Sequence, residues 1–327
     1  MQRIAVVGAG LAGLTCARVL QDSGLEVIVI EKSRGVGGRL STRRTDSAQY
    51  DHGAQYFTAR DERFAAFVDA RLADKSVAVW TPRLDARLAG SSKEPWFVGA
   101  PGMSALGRAQ AQGLDVQTAM RVQSLANENG RWCLGMEDGS ALDGFTAVVV
   151  AVPNAQAVPL LESQTPDWAD QLARTPLEPC WTLMVSTDDG LTDLDAGLPG
   201  TGAIGWWARN SSKPGRPTEA GRHDWVIQAT AQWSQAHLDA SKEMVESELL
   251  LAFARELGVS TITPILPPMT HRWLYSRRAA GFAAFTEPWF KPEIGLGVCG
   301  DGLVHSRVEH AYLSGLQLGQ CMVGALS

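Results

Sequence analysis

The 327-residue sequence predicts an α/β fold: a Rossmann-like nucleotide-binding domain with a second, α+β domain inserted into it. Three observations predict it. A glycine-rich turn, "GAGLAG" at 8–13, follows an apolar run at the chain start. A second buried-type run, "FTAVVVAVP" at 145–153, ends at a proline. A Gly-Asp element and a long apolar helical stretch close the chain after residue 295.

Taken in order, Ile4 to Val7 reads as the first strand. Gly8 permits the tight turn, and Gly10 lets the backbone approach a pyrophosphate. Gly13 lets helix and strand pack closely, and the helix N-terminus, with Ala12 in its first turn, faces the anion. Leu14, Ala17, Val19 and Leu20 form a short apolar helix face ending near Gly24. Leu25 to Ile30 is the second strand. Glu31 closes it, at the distance needed to accept hydrogen bonds from an adenosine ribose, with Lys32 beside it. The same glycine spacing recurs in "GTGAIG" (200–205) and "GLGVCG" (295–300). The first has no strand before it and no helix after it. The second could end a strand, but leaves too little chain for a βαβ unit. One dinucleotide fingerprint is therefore expected, not two.

Composition excludes several classes. A net charge of −6 leaves no nucleic-acid footprint. Five cysteines, at 16, 133, 180, 299 and 321, are odd in number and form no Cys-x-x-Cys. That argues against a disulfide framework, a zinc site or a dithiol pair, and fits a reducing, cytoplasmic setting. The apolar start is broken by glycine, unlike a signal peptide, and no run reaches membrane-span length. Only six lysines occur (Lys32, Lys75, Lys93, Lys213, Lys242, Lys291), and arginine suits planar contacts to phosphate.

The stretch "IEKSRGVGGRLSTRR" (30–44) resembles the Gly-Gly-Arg-x-x-Thr/Ser element of the FAD-dependent amine oxidase superfamily. The resemblance implies non-covalent FAD, with Gly38 and Arg39 at its pyrophosphate and Arg34 close by. "YDHGAQYFTARD" (50–61) resembles the element that passes the flavin ring, which implies cofactor contacts from Gln55, Tyr56 and Phe57. "MRVQSL" resembles the strand whose backbone brackets the adenine, which implies Val122 there. "GDGLVHSRVEHAYLSG" resembles the closing element, with Asp301 at the ribityl or pyrophosphate oxygens and a helix starting near Val308. A helix N-terminus there would stabilise negative charge on a reduced flavin. The implied architecture is that of the amine oxidase/p-hydroxybenzoate hydroxylase type. Residues 1–60, 99–155 and 268–327 would form the FAD-binding domain. Residues 61–98 and 156–267 would form an inserted mixed-sheet substrate domain.

All eleven tryptophans follow residue 79. Most read as core, but Trp96 and Trp289 neighbour the expected domain junction, where pockets tend to form. The amphipathic stretch 241–258 reads as an ordinary packed helix, with Val245, Leu249, Ala252, Phe253 and Leu257 on one face. Amine oxidases of the superfamily usually hold a lysine against the flavin from a substrate-domain strand. The comparable strand here, "EPCWTLMVST" (178–187), has none. The short chain, "DHGAQYFTAR" and the closing element more closely resemble the renalase-type enzymes of the superfamily. That resemblance implies hydride transfer to FAD from isomeric 2- or 6-dihydro-NAD(P), with O2 as acceptor and hydrogen peroxide as product. Such a reaction needs no general base, and no acid-base constellation is evident.

The expected substrate contacts are Tyr56, Thr58, Ala59, Arg60, Trp96, Trp289, His305 and Arg307, with Arg63 as a further phosphate candidate. His305 and Trp289 are the candidates nearest the chemistry. His52 is expected to support the loop. No metal, nucleic-acid partner or membrane is expected, and the chain would be a monomer or weak homodimer. Two other readings stand beside this one: an amine oxidase or desaturase of another small hydrophobic substrate, and a non-catalytic flavin-binding redox sensor.

Overall fold

The computed structural model describes residues 2–90, 94–188, 190–199, 202–217 and 219–326. Its first sheet has six strands, in the order Trp289–Lys291, Leu296–Val298, Ala147–Val150, Arg3–Val7, Glu26–Ile30, Asp115–Gln117. All its ladders are parallel except that joining the two strands from 289 to 298. Ile4 sits between Val27 and Ala147 in the central register. The central strands are covered on both faces, which is why they read as unbroken apolar runs rather than alternating ones.

The fingerprint turn sends the chain from the first strand into the helix Leu11–Asp22. The terminal helix Val308–Leu326 packs along that helix. Gly315 makes the packing possible: a Cβ there would stand 2.1 Å from the Ala12 carbonyl oxygen. The antiparallel strands Val122–Glu128, Arg131–Met136 and Ala141–Phe145 pack Leu125, Trp132, Leu134 and Phe145 into the core beneath this sheet.

A second, five-stranded sheet runs in the order Ala196–Gly197, Ile204–Arg209, His223–Ala229, Leu177–Thr187, Met269–Arg278. Its ladders are antiparallel, with one parallel bridge between Leu84 and Ala196. One face packs against the helix Lys242–Leu257, burying Val245, Leu249 and Phe253 against Trp181, Trp207 and Trp225. The Ser241 hydroxyl accepts from the Met244 N–H at 3.2 Å, and left-handed Gly258 (φ 69°) ends the helix.

The strand Met269–Arg278 corrects one expected boundary. The sequence reading returns the chain to the nucleotide domain at 268, but this strand pairs along Leu177–Thr187. Its own residues explain the difference, since they alternate in exposure as a strand flanking a half-solvated face does. The chain re-enters the first sheet only at Trp289. The segment around "GTGAIG" feeds the strand Ile204–Arg209 and no helix, with Gly200 and Thr201 outside the described residues. "GLGVCG" holds the strand Leu296–Val298, followed by a short 3-10 turn. Among the described residues no helix is long and apolar enough to cross a membrane.

Candidate functional site

A cavity of about 1440 Å³ runs from the fingerprint turn to the second sheet. Three glycines shape its start. Gly8 has φ +108°, and a Cβ there would meet the Ala151 carbonyl oxygen at 2.6 Å. A Cβ on Gly13 would stand 2.1 Å from the Gly8 carbonyl oxygen. Gly10 differs: a Cβ on it would have nothing within 4 Å, so it opens onto free space at the helix N-terminus. Gly38 crosses closely above it, so that a Cβ there would stand 3.4 Å from the Gly10 Cα, and the Gly37 N–H donates to the Ala9 carbonyl at 2.8 Å. A backbone cradle with free space before unpaired helix N–H groups fits a pyrophosphate. The Ala12 backbone also lines it.

Glu31 closes the end of the cavity beyond this turn. Its two oxygens accept from the Ala9 and Ser33 N–H groups, both at 2.8 Å. Each oxygen keeps a lone pair for a ribose hydroxyl. Lys32 donates to Gln156 Oε1 at 2.9 Å, and burial and the nearby Arg121 hold its pKa below the ordinary lysine value. Val122 lines the same end. At the middle, Arg39 pairs with Asp301 and donates to the Ser276 carbonyl at 2.8 Å, which ties the arginine loop to the closing element. Arg34 also lines the cavity.

The far end is walled by Gln55, Tyr56, Phe57, Thr58, Arg307 and Val308, the first residue of the terminal helix. Arg307 donates to Thr58 Oγ1 at 3.1 Å. Six expected residues are not on this wall. Trp96 lies one layer back, stacked on Tyr56 at 3.8 Å between centroids. Trp289 packs against Trp168 and Phe285 in the core under the first sheet, because its strand places it there. His305 is exposed beside His310, one residue outside the lining segment. Arg60 is held outward by Glu94 at 2.6 Å, and Ala59 packs with the core behind Phe57 and Phe64. Arg63 turns back onto Asp61 at 2.8 Å.

Other residues take their places. Trp206, Gln228, His271 and Trp273 reach the cavity from three strands of the second sheet. His52 lies in the same wall, stacked on Trp273 at 5.3 Å and edge-on to His271 at 4.8 Å. The Trp273 Nε1 donates to the His52 backbone carbonyl at 2.8 Å, which ties this loop to the second sheet. Burial, its histidine neighbour and Arg43 push the His52 pKa down to about 3. Burial, Arg43 and Lys242 push that of His271 down to about 4. Both rings are neutral at neutral pH. Alternation in "MTHRWLYS" marks His271 and Trp273 as one face, but only the sheet pairing shows which face meets the cavity.

Of the six lysines, Lys93 lies outside the described residues. Lys213 is in a loop yet fully buried. It donates to Gln55 Oε1 at 3.1 Å and lies 3.7 Å from Asp51, which also pairs with Arg216. Burial outweighs the attraction of Asp51 and lowers its pKa to about 7. Gln55 stands between this lysine and the cavity. A polar loop such as "NSSKPGRP" carries no signal that its lysine is internal.

Comparison with known proteins follows the same outline. Residues 6–71 match the family model of an NAD(P)-binding Rossmann-like domain. Over 67 residues, 20% of the chain, it is 43% identical to hydroxyneurosporene desaturase of Rubrivivax gelatinosus, and the match spans 13% of that relative's length. It is 24% identical to the renalase of Mus musculus, covering 97% of this chain and 98% of the mouse protein. Its fold matches cyclohexylamine oxidase from Brevibacterium oxydans IH-35A with a TM-score of 0.74 at 12% identity, covering 99% and 98% of the two chains. A nucleotide cradle, an arginine loop tied to the closing aspartate and a second, antiparallel sheet thus occur together in a chain that is similar in sequence to renalase and in fold to cyclohexylamine oxidase along its full length.

Proposed function

We propose that the protein binds FAD non-covalently and oxidises isomeric dihydro-NAD(P), the 2- or 6-dihydro forms, to NAD(P)+. Bound FAD would supply a hydride acceptor at N5 and a route for the electrons to O2, giving hydrogen peroxide. The observation that carries this reading is the make-up of the far wall. Tyr56, Trp206, Gln228, His271 and Trp273 give it aromatic faces and neutral polar groups. Among the described residues no strong base stands free there. Asp301 is taken by Arg39, and Glu309 accepts from the Arg60 and Asp61 N–H groups at 2.6 and 2.8 Å. Lys213 is sealed behind Gln55. A dihydropyridine gives up hydride without first losing a proton, so such a wall suffices, whereas an amine must be deprotonated.

The chain's residues then have distinct tasks. Gly8, Gly10, Gly13 and Gly38 admit the pyrophosphate, Glu31 holds the ribose, and Lys32 and Val122 border the adenine. Arg39 and Asp301 brace the middle of the cofactor. Gln55, Tyr56 and Phe57 flank the ring, and the terminal helix starting at Val308 points partial positive charge at it. Thr58 and Arg307 border the substrate, with arginine suited to its phosphate. Cys299 is 1% exposed and shares a hydrogen bond with Cys16, whose pKa is raised well above the ordinary thiol value, which supports a non-covalent cofactor.

The test is product analysis in air. With 6-dihydro-NAD the holoprotein should form NAD+ and hydrogen peroxide one for one, and acid precipitation should release intact FAD. Peroxide from a primary amine but none from either dihydro isomer would establish the amine oxidase reading instead.

A further inference from the structure

The second sheet carries one row of paired residues across four strands. Trp206 is opposite Gln228, Gln228 is opposite Thr182, and Thr182 is opposite His271. Directly paired residues on antiparallel strands share a face. Trp206, Gln228 and His271 all line the cavity, and the shorter Thr182, fully buried, lies between the last two.

The polar groups in this row are set in a definite way. Gln228 Nε2 donates to the Gly53 carbonyl at 2.7 Å. That bond fixes which end of the amide is which and leaves Oε1 as an acceptor with no partner among the described residues. The His271 imidazole likewise makes no hydrogen bond to a described residue. It is held by ring contacts alone, edge-on to Trp273 at 4.4 Å and to His52. Being neutral, it offers one N–H donor and one acceptor.

Gln228 and His271 are each one strand from Thr182, so their backbones are about 9.6 Å apart. Gln228 and His271 reach the cavity from either side of Thr182, which is buried beneath its wall, and so flank a slot that opens on the cavity. A primary amide with a hydrogen bond of about 2.9 Å at each end spans such a gap. Its NH2 would donate to Gln228 Oε1, and its carbonyl would accept from the His271 N–H. A carboxylate fits poorly, because it would set a negative oxygen against the Gln228 acceptor.

We infer that Gln228 and His271, over Thr182, form a carboxamide slot that selects the amide-bearing pyridine ring and rejects the corresponding acid. The inference rests on the dihydropyridine reading above and adds the group by which the ring is held. It makes Gln228 and His271 determinants of specificity and assigns them no proton transfer.

The experiment titrates oxidised holoprotein with NAD+ and with nicotinic acid adenine dinucleotide, following the perturbation of the flavin spectrum. Wild type should bind the amide at least about tenfold more tightly than the acid, the loss expected for an unpaired acceptor. Gln228→Met and His271→Phe should each erase most of that ratio with unchanged FAD content, while His271→Gln, which keeps a donor and an acceptor, should retain it. Equal binding of amide and acid by wild type, no binding of the amide, or the same ratio in all variants would overturn the slot. Failure of the functional reading is separately visible, as absence of flavin reduction by either dihydro isomer.

Discussion

Gly10 and Gly13 lie three residues apart in one turn, yet valine at each should fail for opposite reasons. At Gly13 a Cβ stands 2.1 Å from a backbone oxygen, so Gly13→Val should prevent the turn from forming. At Gly10 the Cβ enters open space. Gly10→Val should therefore fold with nearly unchanged thermal stability of the apoprotein but retain almost no FAD. Flavin-to-protein ratio beside apoprotein melting distinguishes the two, and a Gly10 variant that keeps its flavin would remove the cradle from the cofactor site. Lys213 provides a second residue-scale test. The unfolded chain keeps that proton to the ordinary lysine pKa of 10.5, whereas the folded protein releases it above about 7. The unfolded state binds more protons across that window, so this group makes stability rise with pH from about 7 to 10.5. Urea unfolding of Lys213→Met should show a flatter rise than wild type over the same range. Parallel curves would mean that the buried lysine stays charged. The glycines were readable because each answers a local backbone demand. Lys213 was not, because burial of a loop lysine depends on what Gln55 and Asp51 bring from 158 and 162 residues away along the chain.

At the scale of elements, the first and last helices are clamped by small residues. Gly315→Val would set a Cβ against the Ala12 carbonyl, and one turn on a Cβ at Gly319 would meet Val19 at 2.8 Å. Overpacking of this kind costs about 1–3 kcal/mol. Gly315→Val should lower the urea midpoint and also weaken FAD binding, because Val308 and Arg307 at the start of that helix line the cavity. Lower stability with unchanged flavin affinity would show that the helix N-terminus plays no part in holding the cofactor. The parallel strands and both helices were legible because a run buried on two faces and a 3.6-residue apolar period are local patterns. The strand Met269–Arg278 was placed with the wrong sheet for the converse reason. Its half-exposed alternation says that it is a strand, while its partner is decided by a ladder to residues some ninety positions earlier. That mistake also hid His271 and Trp273 from the site.

At the scale of the molecule, the two sheets enclose one cavity, and its two ends differ in how readable they were. The cofactor end draws on motifs that recur because a dinucleotide imposes the same backbone shape wherever it binds. The substrate end is built by sheet register and aromatic packing, for which no short motif exists. Trp96 and Trp289 both lie near a junction in sequence, yet one supports Tyr56 from behind and the other fills the core. The central claim, that the far wall serves a hydride donor requiring no base, is tested most directly by anaerobic stopped-flow mixing of the holoprotein with 6-dihydro-NAD, 2-dihydro-NAD and ordinary NADH in turn. The flavin's visible band should bleach much faster with at least one of the first two than with NADH. Equal or slower bleaching with both isomers would contradict it.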